Sequence, residues 1–174
     1  MRFLLRMLAL ALLAVQVGGC ASMSEMGNEF GGWINRLKQM AVSPSTETST
    51  ATRDDAVRKY AYTTAQGTRI EVESATNTPH SVAPGETLES SVRYTVIGPE
   101  KIRSVSLTAT RTVIIDDEAI QLGKPRRWES PQGTHTAVVK ITIPKNMPKG
   151  DYKLIITISD NRVTKTARTI FSVI

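Results

Sequence analysis

The sequence is poor in the residues on which most enzymes and metal sites depend. Its 174 residues include one cysteine, Cys20, and two histidines, His80 and His135. A single cysteine excludes a disulfide within the chain and a zinc site built from several thiolates. There is no Gly-x-Ser-x-Gly elbow, no Ser-x-x-Lys pair and no glycine-rich phosphate loop. These absences predict a protein that is not an enzyme and that uses neither a metal nor a cofactor.

Aromatic residues and excess charge are also scarce. Aromatic side chains make up 5% of the sequence, so valine, isoleucine and leucine must fill any core. Lysine and arginine number 22 against 16 aspartates and glutamates, which gives a net charge of +6. Because this excess is modest and is not gathered into one basic stripe, we expect no nucleic-acid partner.

Residues 1–19 have the layout of a secretory signal peptide. Arg2 and Arg6 supply a positive start, and an uncharged apolar run over residues 7–15 follows. That run is too short for a helix that crosses a hydrocarbon core of ~30 Å, which needs roughly 20 residues. It is typical of the apolar region of an export signal that is removed from the mature protein.

The leader ends in a more specific motif, Val17-Gly18-Gly19-Cys20, which resembles the lipobox of bacterial lipoproteins. The resemblance implies that the Cys20 thiol receives a diacylglycerol, that cleavage occurs before it, and that its amine is then acylated. Each buried methylene adds ~0.8 kcal/mol, so two or three acyl chains, such as palmitate, anchor a protein stably. Ala21, in place of aspartate, implies the outer membrane in the Gram-negative members. The alternative is an ordinary signal peptide with an incidental cysteine.

Residues 20–42 are predicted to be a lipidated N-terminus with a short amphipathic segment. Apolar side chains recur at helical spacing, at Met26, Phe30, Ile34, Leu37 and Ala41. Such a segment could rest in the membrane interface or form a helix only against another protein. The residues leave both interpretations open.

Residues 43–67 are predicted to be a flexible linker. The first ten are almost all serine, threonine and proline, which bury little surface. Farther on the pattern is ambiguous, because Asp54 and Asp55 could cap a short helix through Tyr60, or Tyr60 and Tyr62 could belong to an early strand.

Residues 68–174 are predicted to form one all-β domain. Apolar and polar residues alternate over 69–73, 88–96, 104–115, 119–122, 135–143, 152–159 and 163–173. Turn residues separate these segments, including a proposed two-residue hairpin at Asp160 and Asn161. Because no helical pattern intervenes, βαβ folds are excluded. Seven or eight short strands in this length favour an antiparallel two-sheet sandwich.

One stretch resembles the proline–glycine corner of bacterial Ig-like and fibronectin-like domains. Residues 143–154 read IPKNMPKGDYKL, with Tyr152 and Leu154 at the start of a strand. The resemblance implies that Tyr152 packs at a corner between the penultimate strands. The two core cysteines of true immunoglobulin domains are absent, and a transthyretin-like sandwich is the alternative topology. The predicted fold is therefore an Ig-like sandwich behind a lipidated, partly helical and disordered tether.

Two charged clusters in the sequence are candidate binding sites. Asp116, Asp117 and Glu118 lack the alternating ligand pattern and the glycine of a calcium loop, so we interpret them as a solvated turn. A second cluster joins cations to an aromatic ring in a predicted loop and comprises Lys124, Arg126, Arg127 and Trp128. Such a cluster could bind a phosphate, a glycan or an acidic protein surface. Alternatively, Trp128 folds onto the sandwich while the cations stay in solvent.

Together these patterns predict a non-enzymatic lipoprotein of the bacterial envelope. The membrane is contacted through the lipid on Cys20, most simply at the outer membrane, and the sandwich contacts an envelope protein as an accessory subunit or adhesion-type module. Arg126, Arg127 and Trp128 are the candidate contact residues. The alternative function is carbohydrate or cell-wall binding, in which Trp128 stacks on a sugar and Arg126 and Arg127 meet anionic groups.

Overall fold

The computed structural model describes residues 42–115 and 117–174, together with Gly32, Asn35 and Leu37. The predicted signal peptide, the predicted lipidation site Cys20 and the predicted turn residue Asp116 lie outside this part of the chain. Within it, no helix is long and apolar enough to cross a membrane. The elements are strand β1 (Thr46–Ala51), helix α1 (Arg53–Tyr60), a 3₁₀ turn (Thr64–Gln66), β2 (Arg69–Thr78), β3 (Ser81–Val82), β4 (Thr87–Ile97), β5 (Ser104–Ile115), β6 (Glu118–Gln121), β7 (Arg126–Pro131), β8 (Gly133–Thr142), β9 (Gly150–Ser159) and β10 (Thr164–Val173).

The strands form two sheets, which confirms the prediction of an all-β, two-sheet sandwich. The four-stranded sheet has the order β1-β8-β4-β2. The six-stranded sheet has the order β3-β10-β9-β5-β6, and β7 pairs with the other half of β5. Neighbouring strands are antiparallel except for the short β3, which runs parallel to the end of β10.

The period-2 pattern of the sequence separates the core face of each strand from its outer face. On β4 the inward residues are Leu88, Ser90, Val92, Tyr94 and Val96, as predicted. The same alternation holds on β5, β8 and β9, where Leu107, Ile141 and Leu154 are almost fully buried. Removing an aliphatic side chain of this size from water stabilises the fold by ~1.5–3 kcal/mol.

The structure corrects the prediction of a flexible linker over residues 43–67. Strand β1 pairs antiparallel with β8, from Thr46 opposite Val138 to Ser49 opposite His135. Threonine suits a half-exposed strand because its β-branched side chain packs on the pleated surface. A strand at the edge of a sheet therefore forms from a Ser/Thr-rich segment that contains hardly any apolar residue.

The helical interpretation of Asp54 and Asp55 is confirmed by α1. Thr52 is the N-cap, and the side chains of Thr52 and Asp55 form a reciprocal capping box. The helix buries Ala56 against Ile97 and Tyr62 in a small second cluster at the end of the four-stranded sheet. These contacts make residues 53–62 part of the domain.

Leu37 also belongs to the domain. It is helical, 1% exposed and packed in the main core between the sheets. Neither interpretation of the predicted amphipathic segment placed this residue in the core of the domain itself. The segment's other apolar residues lie outside the described part of the chain: Met26, Phe30, Ile34 and Ala41.

The expectation of a packed corner tyrosine is confirmed. Tyr152 is 7% exposed, its hydroxyl donates to the carbonyl of Pro148 at 2.7 Å, and its ring stacks on Phe171 with centroids 5.5 Å apart. The hairpin between β9 and β10 is longer than the predicted two residues, since pairing begins at Ser159 and Thr164. Asp160 explains the longer loop, because its Oδ1 accepts hydrogen bonds from two backbone N–H groups within it.

Candidate binding site between β1 and β7

The predicted contact residues lie on a strand, which corrects their assignment to a loop. Trp128 pairs with Leu107 and Arg126 with Ala109, so β7 continues the six-stranded sheet beyond β5. Successive side chains on a strand point to opposite faces. Arg126 and Trp128 therefore face inward and are half-buried, whereas Arg127 is exposed on the outer face. The structure thus separates Arg127 from the other two residues.

Trp128 uses most of its surface for contacts within the domain. Its indole N–H donates to the hydroxyl of Tyr94 at 3.3 Å, and the two rings meet edge to face with centroids 6.1 Å apart. The Arg126 guanidinium lies 5.7 Å from the centroid of the indole, within the range of a cation–π contact. The arrangement holds Arg126 in place beside the ring.

Next to Trp128 lies a buried polar network centred on Glu47 of β1. The Oε1 of Glu47 accepts from the Tyr94 hydroxyl at 2.7 Å and from the Ser130 hydroxyl at 3.0 Å, and it lies 3.3 Å from Nδ1 of His135. Burial, the largest effect, raises the pKa of Tyr94 far above its usual range, so Tyr94 stays protonated and donates. The network joins β1, β4, β7 and β8 across the two sheets.

The network does not have the geometry of nucleophilic catalysis. A serine nucleophile needs a hydrogen bond to its general base. Here Ser130 donates to Glu47, while the Nε2 of His135 lies 2.8 Å from the carbonyl oxygen of Pro131. The serine therefore bonds to the carboxylate of Glu47 and the histidine lies beside the same carboxylate, and the arrangement serves to hold strands together.

Two arginines share the inner face of the six-stranded sheet. Arg111 is 6% exposed, and its Nε is buried without a hydrogen-bond partner among the described residues. Arg126 pairs with Ala109, two residues before Arg111, so the two arginines are diagonal neighbours on adjacent strands. Burial, and secondarily the positive charge of Arg126, lower the pKa of Arg111 to about 10. Arg126 itself donates to the carbonyl of Ser45 at 3.0 Å.

The residues of this site differ in how clearly the sequence marked them as functional candidates. Arg126 and Trp128 stood out as a cation–aromatic cluster, whereas Arg111 lay within the alternating segment 104–115 and belonged to no motif. Glu47 lay in the Ser/Thr-rich segment and carried no signal. Lys124 is exposed on the connection between β6 and β7. The described residues include no group of three histidine, cysteine, aspartate or glutamate side chains placed to hold a metal ion.

Comparison with known proteins gives a likeness of fold. No protein-family profile and no curated protein matches the chain. Among solved structures, the chain aligns with a family 123 glycoside hydrolase from Clostridium perfringens at 14% identity and a TM-score of 0.42, covering 75% of this chain and 27% of that one. The chain thus spans about a quarter of the length of that enzyme.

Two of the aligned structures are matched over nearly their whole length. The CARDB domain of a Pyrococcus furiosus protein, solved with di-metal ions, aligns at 18% identity and a TM-score of 0.44, covering 64% of this chain and 97% of that one. A conjugative transposon lipoprotein from Bacteroides eggerthii aligns at 14% identity and a TM-score of 0.32, covering 60% and 95%. At these identities the likeness concerns the β-sandwich fold.

Proposed function

We propose that this protein is a non-enzymatic lipoprotein of the bacterial envelope, anchored through lipid on Cys20 and acting by protein–protein contact through an Ig-like sandwich. The anchor is supported by the order of a positive start, a short apolar run and Val17-Gly18-Gly19-Cys20. The absence of aspartate at position 21 favours the outer membrane. The domain begins to pack at Leu37, so 16 residues, 21–36, separate it from the anchor and it is held within ~60 Å of the lipid.

The observation that best supports protein contact is the edge strand β1. It pairs with β8 on one side, and no described strand pairs with its other side. Thr46, Thr48, Ser49 and Thr50 are exposed along it. An open edge offers unpaired backbone groups to which an extended segment of a partner can add as a further strand. The exposed Arg127 lies on β7, which contacts β1 through Ser130 and Glu47.

Glycan binding is the second candidate function and rests on Trp128. A sugar-stacking tryptophan must present one open face of its ring. Here the ring is half-buried, meets Tyr94 at its edge and has Arg126 over it. These contacts favour the protein-contact proposal over glycan stacking.

Lipid labelling tests the anchor. Cys20→Ala should abolish incorporation of radiolabelled palmitate in growing cells and leave an unprocessed precursor or a soluble product. Cys20 is the single cysteine of the sequence, so labelling of the wild-type chain reports on this site or on the amine that cleavage exposes there. Normal palmitate incorporation by the variant would contradict the lipoprotein assignment.

Site-specific crosslinking tests the contact surface. A photoreactive residue at Thr48 should give one discrete crosslinked envelope protein in intact cells, and Thr48→Lys should abolish co-isolation of that protein, because lysine blocks strand addition at an edge. Thr166→Lys is the matched control, an exposed threonine on β10. Equal loss with both variants would refute a role for the β1 edge. Retention of purified peptidoglycan by the protein without any partner would support the glycan alternative.

A further inference from the structure

Arg111 is a buried cation with no acidic partner in the described part of the chain. It projects from the middle of β5 into the interior, flanked on its own strand by Ala109 and Val113. Arg126, its neighbour across the strands, is also a cation. Burying an uncompensated charge costs several kcal/mol, and a second like charge beside it adds to that cost.

The carboxylate of Glu47 does not neutralise these arginines. Its Oε1 accepts hydrogen bonds from the hydroxyls of Tyr94 and Ser130 and lies 3.3 Å from Nδ1 of His135. No ion pair among the described residues joins Glu47 to Arg111 or Arg126. Among the described residues, Arg126 donates to a backbone carbonyl, that of Ser45. Each guanidinium group has five N–H donors, so both groups keep donors that no described residue uses.

The arginines lie where the edge of the six-stranded sheet is interrupted. β7 pairs with β5 as far as Ala109, and β6 pairs with it again from Thr112. Leu122 still bonds to β5, because its N–H donates to the carbonyl of Arg111 at 2.8 Å, and the chain then runs to β7 through Gly123, which adopts a left-handed conformation at φ 61°. Arg126 lies where this connection ends, at the start of β7, and is half-buried.

We propose that Arg111 and Arg126 form a binding site for an oxyanion, the carboxylate or phosphate group of a small ligand. Guanidinium groups bind both kinds of anion through paired N–H···O bonds, and a shared anion would offset the repulsion between them. Trp128 contributes by fixing Arg126 through the cation–π contact. The proposal does not rest on the lipid anchor or on the addition of a partner strand to β1.

Calorimetric titration tests the site with defined probes. The full chain in a non-ionic detergent is titrated with inorganic phosphate and, separately, with succinate, at constant ionic strength set with chloride. We expect saturable binding of at least one probe and a loss of at least tenfold in affinity with Arg126→Gln, the size of change expected when one charge-assisted hydrogen bond is removed. Arg127→Gln, one residue along the strand but on the outer face, should bind within twofold of the wild type.

The two probes identify the source of the anion. Preference for phosphate indicates a phosphorylated ligand and preference for succinate a carboxylate ligand, and either supports the site. The proposal is overturned if neither probe binds the wild type, or if Arg126→Gln and Arg127→Gln weaken binding equally, since that pattern describes general attraction to a basic surface.

Thermal unfolding supplies a test that does not require a ligand to be found. With no added anion, Arg111→Met should raise the melting temperature by a few degrees, because an apolar side chain of similar length replaces an unpaired buried charge. Added phosphate or succinate should stabilise the wild type and not this variant. A melting temperature lowered by several degrees in Arg111→Met would show that Arg111 has a stabilising partner within the chain and would overturn the proposal. None of these outcomes depends on lipidation or on a partner protein.

Discussion

Replacing Glu47 by alanine should weaken the attachment of β1 to the rest of the sandwich. The Oε1 of Glu47 accepts hydrogen bonds from Tyr94 and Ser130 and contacts the ring of His135. Hydrogen bonds to a charged group contribute roughly 1.5–3 kcal/mol each, although such neighbours are not additive. The substitution also removes the nearest acceptor of the buried Tyr94 hydroxyl and leaves only the Ser130 oxygen, 3.1 Å away, to accept from it. We therefore expect Glu47→Ala to lower the free energy of unfolding by ~3–5 kcal/mol.

Urea denaturation followed by far-ultraviolet circular dichroism measures that loss. Amide hydrogen exchange locates it, because protection should fall first over Thr46–Ala51 and only later in β9. Glu129→Ala is the matched control: Glu129 lies on the outer face of β7, and its contact with Ser104 is exposed, so the cost should stay within ~0.5 kcal/mol.

Glu47→Gln separates the contribution of the charge from that of the oxygen acceptor. Glutamine keeps one oxygen acceptor at the same position but removes the charge, so this variant should fall between the wild type and Glu47→Ala. If Glu47→Ala unfolds within ~1 kcal/mol of the wild type and exchange over β1 is unchanged, the network does not hold β1 and the reasoning is refuted.

Three further predictions concern other parts of the domain. Tyr152→Ala should cost ~3–5 kcal/mol in urea unfolding, because a buried, hydrogen-bonded and stacked ring is removed; a loss below ~1 kcal/mol would contradict its corner role. Burial by itself raises the pKa of Glu73, but hydrogen bonds led by Lys59 outweigh it and lower that pKa from 4.5 to about 2. The stability that Glu73 contributes is therefore fully present above pH 4.5 and is lost as the pH falls through 2. Glu73→Gln should be less stable than the wild type by ~1–2 kcal/mol at pH 7, and the difference should disappear below pH 2; a difference that does not change with pH would count against this. A fragment of residues 68–174 should unfold at lower urea concentration than the full chain, since it lacks β1, α1 and Leu37, and equal midpoints would show that those contacts contribute nothing.

The sequence could predict which residues fill the interior of the sandwich because the alternation of apolar and polar residues is visible within each strand. On β5 the alternation of Val105, Leu107, Ala109 and Val113 with threonines defines a buried and an exposed face within twelve residues. Period-2 patterning is local, so it survives without knowledge of the partner strands. The corner at Tyr152 was equally visible, since its proline, glycine and tyrosine lie within a few residues of one another.

The sequence could not predict that β1 pairs with β8, that Leu37 packs in the core, or that Arg111 is buried beside Arg126. β1 is held by Glu47, whose partners Tyr94, Ser130 and His135 lie 47 or more residues away. Nothing in a Ser/Thr-rich segment indicates that a distant edge will accept it.

What the sequence by itself determined is the class of the fold, the identity of the core faces and the motif at Cys20, because these depend on near neighbours in the chain. Only the tertiary structure decided that the domain begins to pack at Leu37, that Arg127 points away from Trp128, and that Arg111 meets Arg126 inside the sandwich. The physical reason is that strand pairing joins residues far apart in sequence, and their register sets which charges become buried together.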